Sequence, residues 1–482
     1  MSIEINKLFK GLVLLGIIFL FHGCFTNYSN SELSDKIIKS EINNWKSQDI
    51  KMAREAIDPN WWATFQDHHL DSIMKIFLLN NYDLKLAISY LESSKQLAIY
   101  NAGKILPDIS TQINNTRSNQ NFSGSAFEDA SSLFNPGGGA VYSETYGLNL
   151  TSQWEIDAWG KIYSKKISAK KEYQASENEY KYLEFSLISQ AVKVYFSLIE
   201  SKEQVALSDS SLAAYQDIFN IVEQRYNQGV RSSLDYRLAK SNLLIAEASL
   251  ERRKMLADNL TREMEILIGL YPSGILETSS KLSTSLPEIP KNLPSDVIQR
   301  RPDIASSYNK IEAAFADLDY AKKMKFPSFN LTGSMGTSTE DLKNLLDGDF
   351  SIWNLGASVT LPIFQSGKIK AYQNLSRSVL EQTQIDYVYS ILKAFSEIEN
   401  KLSMDIMLNN QLISLSNAYI QSKEAYSLAK DRYDKGLTDL ITVLDSQKRM
   451  FDTNSQMISI RKLLIENRID LLICLGGGFD EL

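Results

Sequence analysis

The sequence predicts an α+β membrane protein in which each chain lends four β-strands to a barrel shared between copies and builds long α-helices into a coiled coil beside it. Three observations predict this class. The chain contains itself twice at a constant spacing. It holds two very long stretches free of glycine and proline. Short segments of period-two hydropathy stand just before each of these stretches.

The repeat comes first. Gly160-Lys161-Ile162 recurs as Gly367-Lys368-Ile369, 207 residues further on. Arg225-Tyr226 with Gly229 recurs as Arg432-Tyr433 with Gly436 at the same spacing, and Ile268-Gly269 corresponds to Leu475-Gly476. Matches this far apart without a gap mark a duplication, so each half is expected to build the same substructure. The expected organisation is residues 24–285 as the first repeat and 286–482 as the second. The segment 272–297, with Pro272, Pro287, Pro290 and Pro294, links them.

Residues 161–228 contain neither glycine nor proline, and neither do residues 368–435. A helix of about 65 residues is roughly 100 Å long at 1.5 Å per residue and needs coiled-coil neighbours to be stable. Leu183, Leu187, Ala191, Val194 and Leu198 step by three or four, as such packing requires. Each long helix is expected to end at a glycine that reverses the chain, Gly229 or Gly436. A returning helix then follows, over about 231–268 and 439–474.

Before each Gly-Lys-Ile the period changes to two. Tyr146, Leu148, Leu150 and Ser152 alternate with Gly147, Asn149, Thr151 and Gln153; Trp353, Leu355, Ala357 and Val359 alternate with Asn354, Gly356, Ser358 and Thr360. Upstream partners are Ile109, Thr111 and Ile113 in the first half and Phe329, Leu331, Gly333 and Met335 in the second. Each segment is about 10 residues, the length of a transmembrane strand. Four strands cannot close a barrel, and open edges do not occur in lipid. Several copies must contribute, and three would give twelve strands. The segment 116–144, rich in Asn, Ser and Gly, reads as a loop joining the first hairpin outside the membrane.

At the N-terminus, Lys7 and Lys10 precede an 11-residue apolar run, Gly11–Phe21. That is too short for a membrane-spanning helix and reads as a secretory signal over residues 1–23. It ends in Leu20-Phe21-His22-Gly23-Cys24, which resembles a lipobox whose cysteine, Cys24, is lipidated. Cys474 is the one other cysteine, so no disulfide framework is available. His68-His69 points in two directions on a helix and reads as a solvated helix start, not a metal site. The formal net charge of −7 argues against nucleic acid as the partner. No catalytic cluster, metal site or cofactor motif is visible, so no enzyme activity is expected.

Several motifs carry a family resemblance over nearly the whole mature chain. They are Trp154-Glu155-Ile156-Asp157-Ala158-Trp159-Gly160-Lys161; Leu293-Pro294-Ser295-Asp296 leading into Arg300-Arg301-Pro302-Asp303-Ile304; Phe326-Pro327-Ser328; and Leu361-Pro362-Ile363-Phe364 with Gly367. Further along stand Ala394-Phe395-Ser396-Glu397-Ile398-Glu399, Val443-Leu444-Asp445 and Leu475-Gly476-Gly477-Gly478-Phe479. In order and spacing they resemble the outer membrane factor family, the TolC-like channel-tunnels, most closely its NodT-type efflux lipoproteins. The resemblance implies a homotrimer with a twelve-stranded barrel and a periplasmic helical tunnel, anchored by lipid in the outer membrane. It also implies a periplasmic adaptor and an inner-membrane RND transporter as partners. The chain would be a passive exit duct for small molecules, with type I protein secretion as the alternative within this class and a non-pore periplasmic scaffold as one outside it.

The same resemblance implies a gate at the periplasmic helix tip. Tyr433 matches a position that holds the tip closed by hydrogen bonding to an aspartate, here Asp235, and Asp445 matches an acidic ring at the entrance, which would favour cations. The tips Gly229-Val230 and Gly436-Leu437 would face the adaptor. The chain departs from the pattern at Thr438, where a lock arginine is expected, and at Thr442, where a second acidic ring is expected; the lock would then be weaker, or would use Arg231 or Asp439 instead. Trp154, Asp157 and Trp159 are expected at the strand-to-helix junction, with Asp157 favouring the helix N-terminus. Arg301-Pro302-Asp303 is expected to start a helix.

Overall fold

The computed structural model describes residues 60–121, 123, 140–283, 285–286, 298 and 300–475. The signal region, Cys24 and the glycine-rich C-terminus lie outside the described residues. After a 3-10 turn at Trp61–Phe65, two helices, α1 (His68–Asn80) and α2 (Tyr82–Gly103), lead into strands β1 (Asp108–Asn121) and β2 (Ala140–Ile156). The long helix α3 (Lys161–Asn227) and its return α4 (Ser233–Leu267) follow. The second half repeats the order as α5 (Pro302–Lys323), β3 (Ser328–Thr339), β4 (Ser351–Thr360), α6 (Lys368–Asp434) and α7 (Leu440–Cys474). Equivalent helices have equal lengths in the two halves: 22 residues for α2 and α5, 67 for α3 and α6, 35 for α4 and α7. No described helix is long and apolar enough to cross a membrane.

The four strands form one antiparallel sheet in the order β1-β2-β3-β4. Thr111 lies opposite Leu150, Leu150 opposite Met335, and Met335 opposite Trp353. Two residues along, Ile109, Ser152, Gly333 and Leu355 line up in the same way. This register puts the apolar residues on one face, where Ile109, Ile113, Leu150, Met335, Trp353, Leu355 and Val359 are exposed in the single protomer. The other face carries Gln112, Asn114, Asn149, Thr332, Asn354 and Ser358. Gly336 permits the sheet to close up: a Cβ there would collide with the Leu148 carbonyl.

One expectation is corrected. The first hairpin's loop is shorter than 116–144, because β1 runs on to Asn121 and β2 begins at Ala140. Beyond Ile113 the strand is polar on both faces, so hydropathy does not mark it; the cross-strand group Arg117, Glu144 and Tyr146 fastens it instead. The returning helices start at Ser233 and Leu440, each just after its capping residue.

Midway along α3 the core gathers Tyr195, Phe196, Leu198 and Ile199 with Trp61, Phe65 and Phe77, Met264 and Ile268 of the α4 end, and Ile465 and Ile469 of α7. Buried charge ties the same level together. The Arg301 guanidinium, 2% exposed, bonds Asp303, Glu397 and the Cys474 carbonyl, joining the start of α5 to α6 and the end of α7. Burial alone would lower its pKa, but Asp303 and Glu397 hold it above its ordinary value. Arg468 pairs in two-point fashion with buried Asp405, and Asp470 accepts from Lys193 at 2.8 Å and Lys401 at 2.6 Å. Glu265, 2% exposed, accepts the backbone N–H groups of Gly274, Ile275 and Leu276 and thereby pins the chain leaving α4.

Arg301→Ala strands two carboxylates and a carbonyl at a buried junction. It is expected to cost about 3–5 kcal/mol, read as a lower unfolding temperature of the detergent-solubilised protein. Burial pushes the Cys474 thiol up to about 11, so it stays protonated at pH 8. Maleimide labelling at pH 8 is expected to leave Cys474 unmodified in the folded protein and to modify it in denaturant.

Candidate functional site: the helix tips and the strand-to-helix junction

The tips are built by sequence-local rules. At the end of α3, Gly229 N–H donates to the Tyr226 carbonyl and Val230 N–H to the Arg225 carbonyl. At the end of α6, Gly436 and Leu437 make the same two bonds to Tyr433 and Arg432. This is the Schellman pattern, and it needs a left-handed residue in the position of each glycine; φ is 71° at Gly229 and 75° at Gly436. The returning helices are then capped by side chains: Ser232 accepts from Asp235 N–H at 3.1 Å, and Asp439 accepts from Thr442 N–H at 2.8 Å and its hydroxyl at 2.6 Å. Those bonds from Thr442 hold the Asp439 carboxyl below its ordinary range. Val230 and Leu437 stand exposed at the apices.

Behind the apices, Ile218, Phe219 and Val222 of α3, Ala239 and Leu243 of α4, Ala429 and Tyr433 of α6, and Leu440, Val443 and Leu444 of α7 form one apolar cluster. Tyr433 is 3% exposed within it. Two guanidinium groups lie over its ring, Arg225 at 5.1 Å and Arg231 at 4.8 Å from the centroid. Its hydroxyl is buried and has no hydrogen-bond partner, so the bond to Asp235 expected of it is not made within the protomer. Asp235 stands in the first turn of α4, where its backbone N–H serves the cap. The repeat-equivalent Tyr226 instead stacks on Tyr236 at 5.0 Å.

Asp445 is exposed on α7 and accepts from Arg449 at 2.8 Å, one helical turn away. The pair is legible in the sequence as an acid and a base four apart, although Asp445 reads there as a lone acidic ring. Arg231, named as a substitute for the lock, lies over Tyr433; Asp439 caps α7. Thr438 lies between the tip and that cap.

At the other end of the long helices, Asp157 accepts from the N–H groups of Ile162 at 2.9 Å and Tyr163 at 2.7 Å, capping α3 as expected. Trp154 donates its indole N–H to the Ile105 carbonyl at 3.0 Å, and Trp159 donates to the Pro327 carbonyl at 2.7 Å while its ring packs on Phe326. These bonds fix where the sheet stops and the helices begin. Arg301-Pro302-Asp303 starts α5, with Pro302 at the first helical position. His68 and His69 open α1 behind the capping residue Asp67 and are exposed. Among the described residues no group of three or more His, Cys, Asp or Glu side chains is placed to hold a metal ion.

With this geometry in view, the comparisons with known proteins are specific. The family model for outer membrane efflux proteins matches residues 74–263 and 293–477. The chain is 27% identical over 425 residues to the toluene efflux pump outer membrane protein TtgF of Pseudomonas putida, covering 88% of this chain and 86% of that one. It is likewise 27% identical over 442 residues to the pyoverdine export outer membrane protein OpmQ of Pseudomonas putida, covering 90% and 91%. Among solved structures it is similar to the Campylobacter jejuni CmeC outer membrane channel, with TM-score 0.83, 26% identity, and 91% and 93% of the two chains covered. The fold also matches the open state of the Neisseria gonorrhoeae MtrE channel, with TM-score 0.74, 23% identity and 91% and 98% covered.

Tyr433→Phe removes a buried hydroxyl that has no partner in the protomer, so it is expected to leave tip stability within about 1 kcal/mol of the parent. Tyr433→Ala opens a cavity under both arginines and is expected to cost about 3–5 kcal/mol locally. Hydrogen exchange over residues 218–239 and 429–444 reads both: protection kept in the first variant, lost in the second.

Proposed function

The chain belongs to the outer membrane efflux protein family, and from that premise we propose that it is the exit duct of a tripartite pump, closed and opened at its helix tips. It is an outer-membrane channel of the TolC-like trimeric class, with a shared barrel above and a helical tunnel reaching into the periplasm. As the proposed duct it performs no chemistry. Cargo enters at the tips from an inner-membrane transporter of RND type, and a periplasmic adaptor seals that transfer against the exposed apices Gly229-Val230 and Gly436-Leu437. The relatives carry cargoes as different as toluene and pyoverdine by name, which supports a conduit whose selectivity lies in the transporter.

The observation that carries the gate reading is the tip itself. Two chain reversals of identical hydrogen bonding meet in one small apolar cluster, and Tyr433 is clamped inside it by Arg225 and Arg231. Sliding of α6 and α7 against α3 and α4 has to pull Tyr433 out of that clamp. Asp445 supplies the acidic ring, and Arg449 tempers it, because each carboxylate carries its own cation one turn away. An exposed pair of this kind is worth about 0.2–1 kcal/mol.

Arg449→Gln is therefore expected to raise the cation-over-anion permeability ratio in planar bilayers by about twofold to fivefold, and Asp445→Asn to lower it. Equal ratios in the parent and both variants would remove Asp445 from the conduction path.

A further inference from the structure

The apolar band of the sheet does not stop where the strands stop. Phe329 stands on the apolar face of β3, opposite Ile156 and Val359. Trp159 packs on Phe329 at 6.2 Å and on Phe326 at 5.3 Å, so aromatic rings carry the band past the end of the sheet. Tyr100 and Leu106 before β1, and Ile363 and Phe364 after β4, are exposed in the connections to the helices. Rings in this position mark the headgroup level of a membrane.

Among these rings the charge is positive. Residues 98–108, 155–166, 317–328 and 361–373 hold the helix turns nearest the sheet. They carry nine lysines and five carboxylates, in a chain whose formal net charge is −7. Four of the carboxylates are already engaged. Glu155, Asp317 and Asp319 pair with Lys161, Lys165 and Lys323, each at 2.5 Å, and Asp157 caps α3. Among the described residues, Lys104, Lys166, Lys322, Lys325, Lys368 and Lys370 pair with no carboxylate, and all but Lys166 are exposed. Two of them lie on aromatic rings, Lys104 over Tyr100 at 4.6 Å and Lys325 over Phe326 at 5.3 Å. The far end of the sheet has the opposite sign. Between β3 and β4, residues 340–350 carry Glu340, Asp341, Asp347 and Asp349 against Lys343 alone. A merely solubilising surface has no reason to change sign from one end of a sheet to the other.

We propose that this lysine collar binds anionic phospholipids of the periplasmic leaflet. Lys104, Lys322, Lys325, Lys368 and Lys370 meet the phosphodiesters, and the acyl chains lie against the apolar face above. Lysine suits the task, because its stem packs on apolar surface while its ammonium stays at the phosphate level. The ligand class is a glycerophospholipid whose headgroup is negative overall. A zwitterionic headgroup carries its own ammonium and gains little from cations that lack a carboxylate. The trimeric channel repeats the collar three times around the base of the barrel, where it fixes the depth of the barrel in the membrane. The collar is independent of the gate, since it stands at the other end of the long helices.

The test is native mass spectrometry of the detergent-solubilised full chain, titrated with phosphatidylglycerol or phosphatidylcholine of the same acyl chains. The parent trimer is expected to retain roughly threefold more phosphatidylglycerol than phosphatidylcholine. Lys104→Gln with Lys325→Gln and Lys368→Gln is expected to remove at least about half of that preference. Lys254→Gln with Lys423→Gln and Lys448→Gln changes the net charge equally, away from the collar, and is expected to keep it. Lys325→Gln alone is expected to shift the preference in the same direction as the triple variant, and it carries the test if the triple variant fails to assemble. Equal retention of the two lipids by the parent overturns the proposal, as does an equal loss in the collar and control variants. Loss of the preference in excess inorganic phosphate overturns the lipid and assigns the collar to a free phosphate. A native mass of one chain is a different failure, because it removes the trimeric barrel on which the collar stands.

Discussion

A strand edge in hydrocarbon has no water to satisfy its N–H and C=O groups, and each group left unpaired costs several kcal/mol. Four strands in register leave two such edges on every protomer. Everything else in the chain is arranged around that debt. The lipid face is apolar across all four strands and the opposite face is small and polar, which is the side-chain pattern of a closed, water-filled barrel. Closure requires copies, and copies bring their helices with them. Two helices of 67 residues, each roughly 100 Å long, then pack beside those of their neighbours. The exposed apolar residues on α2 and α6, such as Leu86, Tyr90, Ile385 and Tyr389, lie on faces that a lone protomer leaves uncovered.

The passage from sheet to helix has to be rigid, because a tunnel whose walls slide against its barrel leaks. Side chains that bond backbone across the junction supply that rigidity. Trp154 reaches the carbonyl that follows α2, Trp159 reaches the carbonyl that precedes β3, and Asp157 caps α3. Halfway down, the stiffness comes from buried charge. Arg301, Asp405 with Arg468, and Asp470 between two lysines each join different helices. Such groups contribute little net stability compared with apolar residues of the same size, but each is costly to leave unpaired. A helix that slipped by one turn would break several of them at once, so they fix register along helices whose apolar stripes alone would tolerate sliding.

Much of this was legible in the sequence, and the reasons are physical. The repeat spacing, the absence of helix breakers and the paired glycines located α3, α6 and both reversals to within a residue. The alternation over Tyr146–Gln153 and Trp353–Thr360 located the two downward strands. The upper part of β1 was missed because it is polar on both faces, and a period is visible only where the two faces differ. The arginine clamp on Tyr433 was missed for another reason. Arg225 is 208 residues from Tyr433 in the chain, and a cation over a ring leaves no local spacing to read. Arg449 beside Asp445 was readable from its four-residue separation, whereas the bond from Arg301 to the Cys474 carbonyl, across a sequence gap of 173 residues, was not.

The two tips show what duplication allows. Their backbones are the same to the level of individual hydrogen bonds, because the Schellman turn depends on glycine and little else. Their side chains have parted. Tyr226 stacks on Tyr236 at the edge of the cluster, while Tyr433 is buried within it; the position equivalent to Tyr236 is Val443, which is buried in the same cluster. Arg231 faces Tyr433, while its own equivalent is Thr438. One reversal thus supplies the cations and the other supplies the ring they lie over. The asymmetry couples the two halves of a single chain, because Tyr433 of one reversal carries the arginines of the other over its ring.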